Sequence, residues 1–193
     1  MNKLFLLDID NTLLVPQNIF IYYHKDGVHK KYSPDEYAKI DVTVDEKKYY
    51  DYSDFRNPEV IKKSIETSTP LHNNLNLVRD YILDGWQIGI LTARGEQDII
   101  RNVIYNWLEK NLKMEIPFLK NHVYGVNDKR YNYPGYSDAT KKLYVVKKIV
   151  ESKEFDQLCV IDDNKFTIDI IKNYNKELDE KYKVNTIYVE YNR

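Results

Sequence analysis

The chain has a single cysteine, Cys159, in 193 residues. One thiol excludes an internal disulfide and fits a reducing, cytoplasmic setting. Cys159 sits inside an apolar run, where a buried inert thiol is expected rather than a nucleophile. No apolar stretch approaches the roughly 18 residues that read as a membrane span, so no membrane association is expected. Asp8 and Asp10 interrupt the N-terminal apolar stretch, which departs from a secretory signal. An excess of one charge is lacking too. Against 29 basic side chains stand 30 acidic ones, for a net charge of −1, so only local patches can attract a polyanion. There is no internal repeat, no low-complexity segment and no G-x-x-x-x-G-K-[ST] phosphate loop. His24, His29, His72 and His122 show no metal-ligand spacing and are expected to be solvated or structural. The 18 tyrosines accompany many Lys, Asn and Ile residues. AT-rich codons specify all four types, so the tyrosines carry no functional weight as a group.

What is present suits one domain, or one domain with a modest insertion. Apolar side chains make up 42% of the chain and charged ones 31%, enough for a sizeable core. Residues 4–7, 88–91 ("IGIL") and 158–161 ("LCVI") are short continuous apolar runs, typical of parallel strands covered on both faces. Helical stripes lie between them: Leu71, Leu75, Val78 and Ile82 before Gly85, then Ile99 to Leu108, then Leu143 to Val150. Residues 165–174 form a fourth stripe, followed by a strand at 184–189. This alternation predicts a doubly wound, Rossmann-like α/β fold with a parallel sheet. Residues 17–70 break the pattern. "IFIYYHKDGVHKKY" reads as a hairpin turning at Asp26-Gly27. "SPDE" at 33–36 reads as a helix start with a capping box. The expected organisation is a core of residues 1–16 and 71–193 with an inserted segment, 17–70, over one edge; an excursion without a role is the simpler alternative.

Three apolar runs end in polar residues: Asp8 and Asp10 in "DIDNT", Thr92 in "LTARG", Asp162 and Asp163 in "VIDDN". In open parallel sheets, ligands bind beyond the carboxyl ends of the strands. A lone D-x-D is often a turn and a lone D-D often a helix cap. Three such endings in one sheet point instead to one site. Clustered aspartates need a cation, and hard oxygen ligands select Mg²⁺ or Ca²⁺. A calcium loop starting at Asp8 fails, because Leu13 and Ile19 stand where Gly and Glu are required; Mg²⁺ is expected. A carboxylate beside Mg²⁺ can attack phosphorus, a second can serve the leaving oxygen, and Thr92 with Lys141 or Lys142 can hold the phosphoryl oxygens. Arg94 reads equally as a phosphate contact or a solvated side chain.

D-x-D-N-T after a strand, "LTAR", a lysine and "IDD", in that order, resemble the haloacid dehalogenase superfamily of phosphohydrolases over about residues 3–15 and 71–190. The resemblance implies Asp8 as nucleophile and Asp10 as general acid/base. It implies Thr92 as the phosphate-binding hydroxyl. Mg²⁺ would be held by Asp8, Asp162, Asp163 and the Asp10 backbone carbonyl. Lys142 lies twenty residues before Asp162, the family's usual interval, and is preferred over Lys141. The 17–70 segment stands where many relatives carry a cap. Receiver domains share the chemistry but place the acidic pair first and the lysine after the threonine.

"DGWQIGILTARGE" is similar to phosphatases that act on nucleotides or nucleic-acid ends, the 3′-phosphatase domains of phage polynucleotide kinase-phosphatases among them. The expected substrate is a nucleotide or a nucleic-acid 3′-phosphate; a sugar phosphate is the alternative, and a non-enzymatic binding protein on the same fold is another. Two segments suit single-stranded nucleic-acid ends: "HKDGVHKK" at 24–31 and "KRYNYPGY" at 129–136, where Lys129 and Arg130 precede Tyr131, Tyr133 and Tyr136. Solvated loops are the alternative for both.

Overall fold

The computed structural model describes residues 1–37, 39–43 and 45–190. In chain order the first elements are β1 (Lys3–Leu7), β2 (Leu14–Val15), β3 (Ile21–Lys25), β4 (Val28–Tyr32), α1 (Pro34–Tyr37), β5 (Tyr50–Asp51) and α2 (Pro58–Glu66). There follow β6 (Thr69–Pro70), α3 (His72–Leu83), β7 (Gln87–Thr92), α4 (Gln97–Leu112) and β8 (Phe118–Gly125). The last are α5 (Asp138–Ser152), β9 (Gln157–Asp162), α6 (Lys165–Tyr174) and β10 (Val184–Tyr188).

Five strands form one parallel sheet in the order β10-β9-β1-β7-β8. Side chains alternate along β1, so it feeds two cores. Phe5 and Leu7 join Ile88, Ile90, Ile100, Ile104 and Leu108 on one face, under α3 and α4. Leu4 and Leu6 join Val145, Val146, Ile149 and Ile171 on the other, under α5 and α6. A strand covered on both faces has no place for a polar side chain, which is why the run at 4–7 is unbroken. The chain builds outward from β1 through β7 to β8, then crosses back to β9 and β10. The strand order therefore reverses between β1 and β9, the position where open sheets leave a crevice.

The predicted strands and helices around β1, β7, β9, α3, α4, α5, α6 and β10 are all present. β8 was not expected. It is an edge strand, and Lys120 and Asn121 are exposed within it, so it lacks a continuous apolar run. Gly89 lets it approach: a Cβ there would stand 2.7 Å from the His122 carbonyl oxygen and 2.9 Å from Leu6 Cδ2.

Within 17–70 the hairpin forms as read. β3 pairs antiparallel with β4, and β5 completes a three-stranded sheet in the order β4-β3-β5. Asp26 and Gly27 have φ of 51° and 77°, the left-handed pair that a two-residue turn requires. The capping box forms as well: Ser33 N donates to Glu36 Oε2 at 2.8 Å, and Glu36 N to Ser33 Oγ at 3.2 Å. The helix α2 behaves differently from the small sheet. Its N-cap Asn57 accepts from Glu59 N and Val60 N, and Ile61 and Ile65 are fully buried in the larger core cluster. The packing boundary of the small unit thus falls before α2, inside the 17–70 segment. Among the described residues, no helix is long and apolar enough to cross a membrane.

The role of α2 gives a test by urea unfolding. Ile65→Ala is expected to cost about 2–4 kcal/mol, the usual loss for a truncated core side chain. Val28→Ala, on the exposed hairpin, should stay within about 0.5 kcal/mol. Equal small losses would place α2 outside the core.

Candidate active site

Asp8 follows β1 directly, and its N–H donates to the Ile161 carbonyl at 3.1 Å, extending the β1–β9 ladder by one rung. Ile9 turns into the core, so Asp8 and Asp10 lean the same way on either side of it. Asn11 then adopts φ 58°, a left-handed conformation that asparagine tolerates. Its N–H donates to the Leu14 carbonyl at 2.8 Å, and the chain doubles back at the strand end.

Asp162 ends the neighbouring strand β9. Lys142 comes up from the second turn of α5, and its Nζ lies 2.8 Å from Asp8 Oδ1 and 2.7 Å from Asp162 Oδ2. All three side chains are buried. Ser137 caps α5 by a reciprocal box with Thr140, which sets the helix phase and aims Lys142 inward. Lys141, the other sequence candidate, reaches Asn127 Oδ1 at 2.6 Å instead. The second oxygen of Asp162 accepts from Asn164 N at 2.8 Å, and Asn164 caps α6 through Thr167 N.

Thr12 was not singled out as a site residue, yet it fastens the first motif to the last. Its Oγ1 donates to Asp8 Oδ2 at 3.2 Å and accepts from Asp163 N at 3.0 Å. Only its place four residues after Asp8 hinted at this. Thr92 ends β7, buried, and its Oγ1 accepts from Arg94 N at 3.3 Å. Among the described residues that hydroxyl donates to no protein group, so its hydrogen is free for a ligand.

Arg94 is neither solvated nor free for a phosphate. It is 0% exposed. Nε and Nη2 grip Asp10 Oδ2 and Oδ1 at 2.8 and 2.6 Å, while Nη1 contacts Ser64 Oγ at 2.7 Å and the Ile61 carbonyl at 3.4 Å. Sequence reading missed Ser64, which lies on α2, far from any motif. A bidentate guanidinium–carboxylate pair fixes orientation as well as charge, so Arg94 holds Asp10 in place and α2 holds Arg94.

The electrostatics follow from three carboxylates facing one ammonium. Burial opposes the charge on Lys142, but Asp162 and Asp8 override it and hold its pKa above the ordinary lysine value. Burial raises Asp8 well above the usual carboxylate range; Lys142 opposes this, and the charges of Asp162 and Asp163 add to it. Burial and the charge of Asp162 push Asp163 up to about 7. Oxygens of Asp8, Asp162 and Asp163 all lie within 4.8 Å of one another. The buried Oδ1 of Asn11 has no hydrogen-bond partner, an orphan of the kind that a water or ion satisfies. The three carboxylates form an all-oxygen, highly charged donor set, which fits Mg²⁺.

The two basic segments lie outside the cluster. In 129–136, Arg130 is committed to Asp128 and Asp98, Tyr133 donates to Gln97, and Tyr131 stacks on Tyr133. Lys129 and Tyr136 remain exposed, Tyr136 at 91%. Asn127 ties this loop to the site's rim by donating to the Ala93 carbonyl and Asp138. The 24–31 hairpin is exposed and has no hydrogen bond to the cluster. An apolar groove between α2 and α4, lined by Ile99, Val103 and Trp107, shares no residue with the site.

A scan against family models and searches of curated proteins and of solved structures find no match to this chain.

Lys142→Met removes the ammonium and leaves buried carboxylates facing each other. The expected cost is roughly 3–5 kcal/mol at pH 8. Without the ammonium, the folded-state carboxyl pKa values rise further above their unfolded values. Stability is then regained as pH falls and the carboxyls protonate. Urea melts at pH 8 and pH 5 check this, and an equal loss at both would contradict it.

Proposed function

We propose that the chain is a phosphomonoesterase that works through an aspartyl-phosphate on Asp8 and requires Mg²⁺. The observation that carries this reading is the buried Lys142 ammonium bridging Asp8 and Asp162 at the reversal of strand order, with a free threonine hydroxyl at the next strand end. A carboxylate, an ammonium and a hydroxyl converging where the sheet opens suit the transfer of a dianionic group.

Asp8 attacks phosphorus through a carboxylate oxygen, and the bond from phosphorus to the leaving oxygen breaks. Both Asp10 oxygens accept from Arg94 in this structure, so this step requires Asp10 to take up a proton and turn one oxygen away from Arg94; it then donates that proton to the leaving oxygen. Asp10, now a carboxylate, takes a proton from water as the water attacks phosphorus. The Asp8–phosphorus bond breaks and inorganic phosphate leaves. Thr92 donates to one phosphoryl oxygen, and Lys142 balances the negative charge as it moves off Asp8. Arg94 orients Asp10 when it is the carboxylate that takes a proton from water. A Mg²⁺ ion held by Asp8, Asp162 and Asp163 would neutralise their charge and lower the repulsion between Asp8 and an incoming phosphate.

The preferred substrate is a nucleotide or a nucleic-acid 3′-phosphate. The exposed Lys129 and Tyr136 beside the rim favour an extended ligand over a sugar phosphate. We read the part of the 17–70 segment that precedes α2 as a cap. One contact supports this: Gly95 N donates to the Phe55 carbonyl at 3.2 Å, which joins it to the β7 end of the site.

Phosphate release from aryl phosphate, mononucleotides, sugar phosphates and oligonucleotides with 5′- or 3′-phosphates tests the reading. Release is expected with Mg²⁺ and not with EDTA, and Asp8→Asn should remove it without unfolding the chain. Full activity in Asp8→Asn would overturn the assignment. Arg94→Met should slow hydrolysis of the aspartyl-phosphate at least about tenfold; an unchanged rate would remove Arg94 from the aiming of Asp10. Below pH 7 Asp163 holds a proton that Mg²⁺ must displace. Calorimetric Mg²⁺ affinity is therefore expected to weaken as pH falls from 8 to 6, and a flat profile would exclude Asp163 as a ligand.

A further inference from the structure

We propose that the β3–β4 hairpin carries a second metal site, in which His24 and His29 chelate a borderline divalent transition ion such as Zn²⁺ or Cu²⁺. The two residues stand directly opposite each other in the ladder. Their Nδ1 atoms are 2.7 Å apart and their ring centroids 5.0 Å apart. The tight turn produces this juxtaposition. Asp26 and Gly27 both have positive φ, so Lys25 and Val28 close the hairpin and His24 and His29 form the next pair. In an antiparallel ladder the pair after the hydrogen-bonded closing pair brings side chains closest.

Without a metal, the two Nδ1 atoms can share only one proton: one ring donates and the other accepts. A metal ion replaces that proton and takes both lone pairs. Zinc–imidazole bonds of about 2.0–2.1 Å set two nitrogens on a tetrahedral ion roughly 3.3 Å apart. Opening the present gap by about 0.6 Å needs only small side-chain rotations. Both histidines are exposed, so an ion can enter and complete its shell with water. Two of the nearby ammonium groups are drawn elsewhere: Lys31 Nζ lies 3.5 Å from the Phe20 ring centre and Lys25 Nζ 4.9 Å from that of Tyr49. Imidazole nitrogen suits Zn²⁺, Cu²⁺ and Ni²⁺ and not Mg²⁺. The hairpin site and the carboxylate cluster therefore sort metals by ligand type. A bound ion clips β4, the exposed edge strand of the small sheet, to β3.

Zn²⁺ titration followed by histidine ring NMR tests the site, with Mg²⁺ in parallel. The His24 and His29 ring signals are expected to move together and saturate at one equivalent of Zn²⁺, while His72 and His122 stay in place. Mg²⁺ should leave all four unmoved. His29→Gln, on an exposed strand, should weaken the Zn²⁺ response of His24 at least about tenfold, and Asp8→Asn should leave it unchanged. Unmoved His24 and His29 signals would overturn the proposal. So would an undiminished response of His24 in His29→Gln.

Discussion

The site depends on one arrangement: a buried ammonium between two buried carboxylates at the ends of adjacent strands. Lys142 lies under 3 Å from both Asp8 and Asp162, and none of the three groups has water enough to stand alone. Each charge is tolerable only because the others are there. β1 and β9 must then run side by side, α5 must start where Ser137 caps it, and the helix must not slip. The reversal of strand order opens the crevice. The two aspartates become its floor because the strands that carry them are too apolar to hold a carboxylate anywhere but at the tip.

A second buried charge network ties the segment outside the alternating core to this floor. Asp10 is gripped by Arg94, and Arg94 by Ser64 and the Ile61 carbonyl of α2. Removing Asp10 would strand the fully buried Arg94 guanidinium without its carboxylate. The orientation of Asp10 thus rests on the packing of α2, which in turn rests on Ile61 and Ile65 in the main core. Core stability and the orientation of Asp10 meet in one helix.

Much of this was legible because burial writes itself into sequence. Central strands covered on both faces read as unbroken apolar runs, and their polar endings mark the binding edge. The hairpin was legible from Asp26-Gly27, whose turn chemistry is local. β8 was not, since an edge strand with Lys120 and Asn121 shows no run. The core membership of α2 was hidden by a nine-residue helix with only three apolar side chains. Interval and motif order favoured Lys142 over Lys141, but only helix phase separates adjacent lysines. Thr12, Ser64 and the partner of Arg94 depend on contacts across the fold, and no spacing encodes them. The His24–His29 pair is intermediate: it follows from the hairpin register once the turn is known, although its spacing matches no metal motif.

The most direct measurement of the proposed mechanism asks whether Asp8 becomes phosphorylated during turnover. The chain would be mixed with radiolabelled substrate and Mg²⁺, quenched in acid within the first turnover, digested and mapped. Label on the peptide containing Asp8, absent in Asp8→Asn and released by hydroxylamine as an acyl phosphate must be, is the predicted result. Turnover of substrate with no labelled peptide, or label on another residue, would contradict the account.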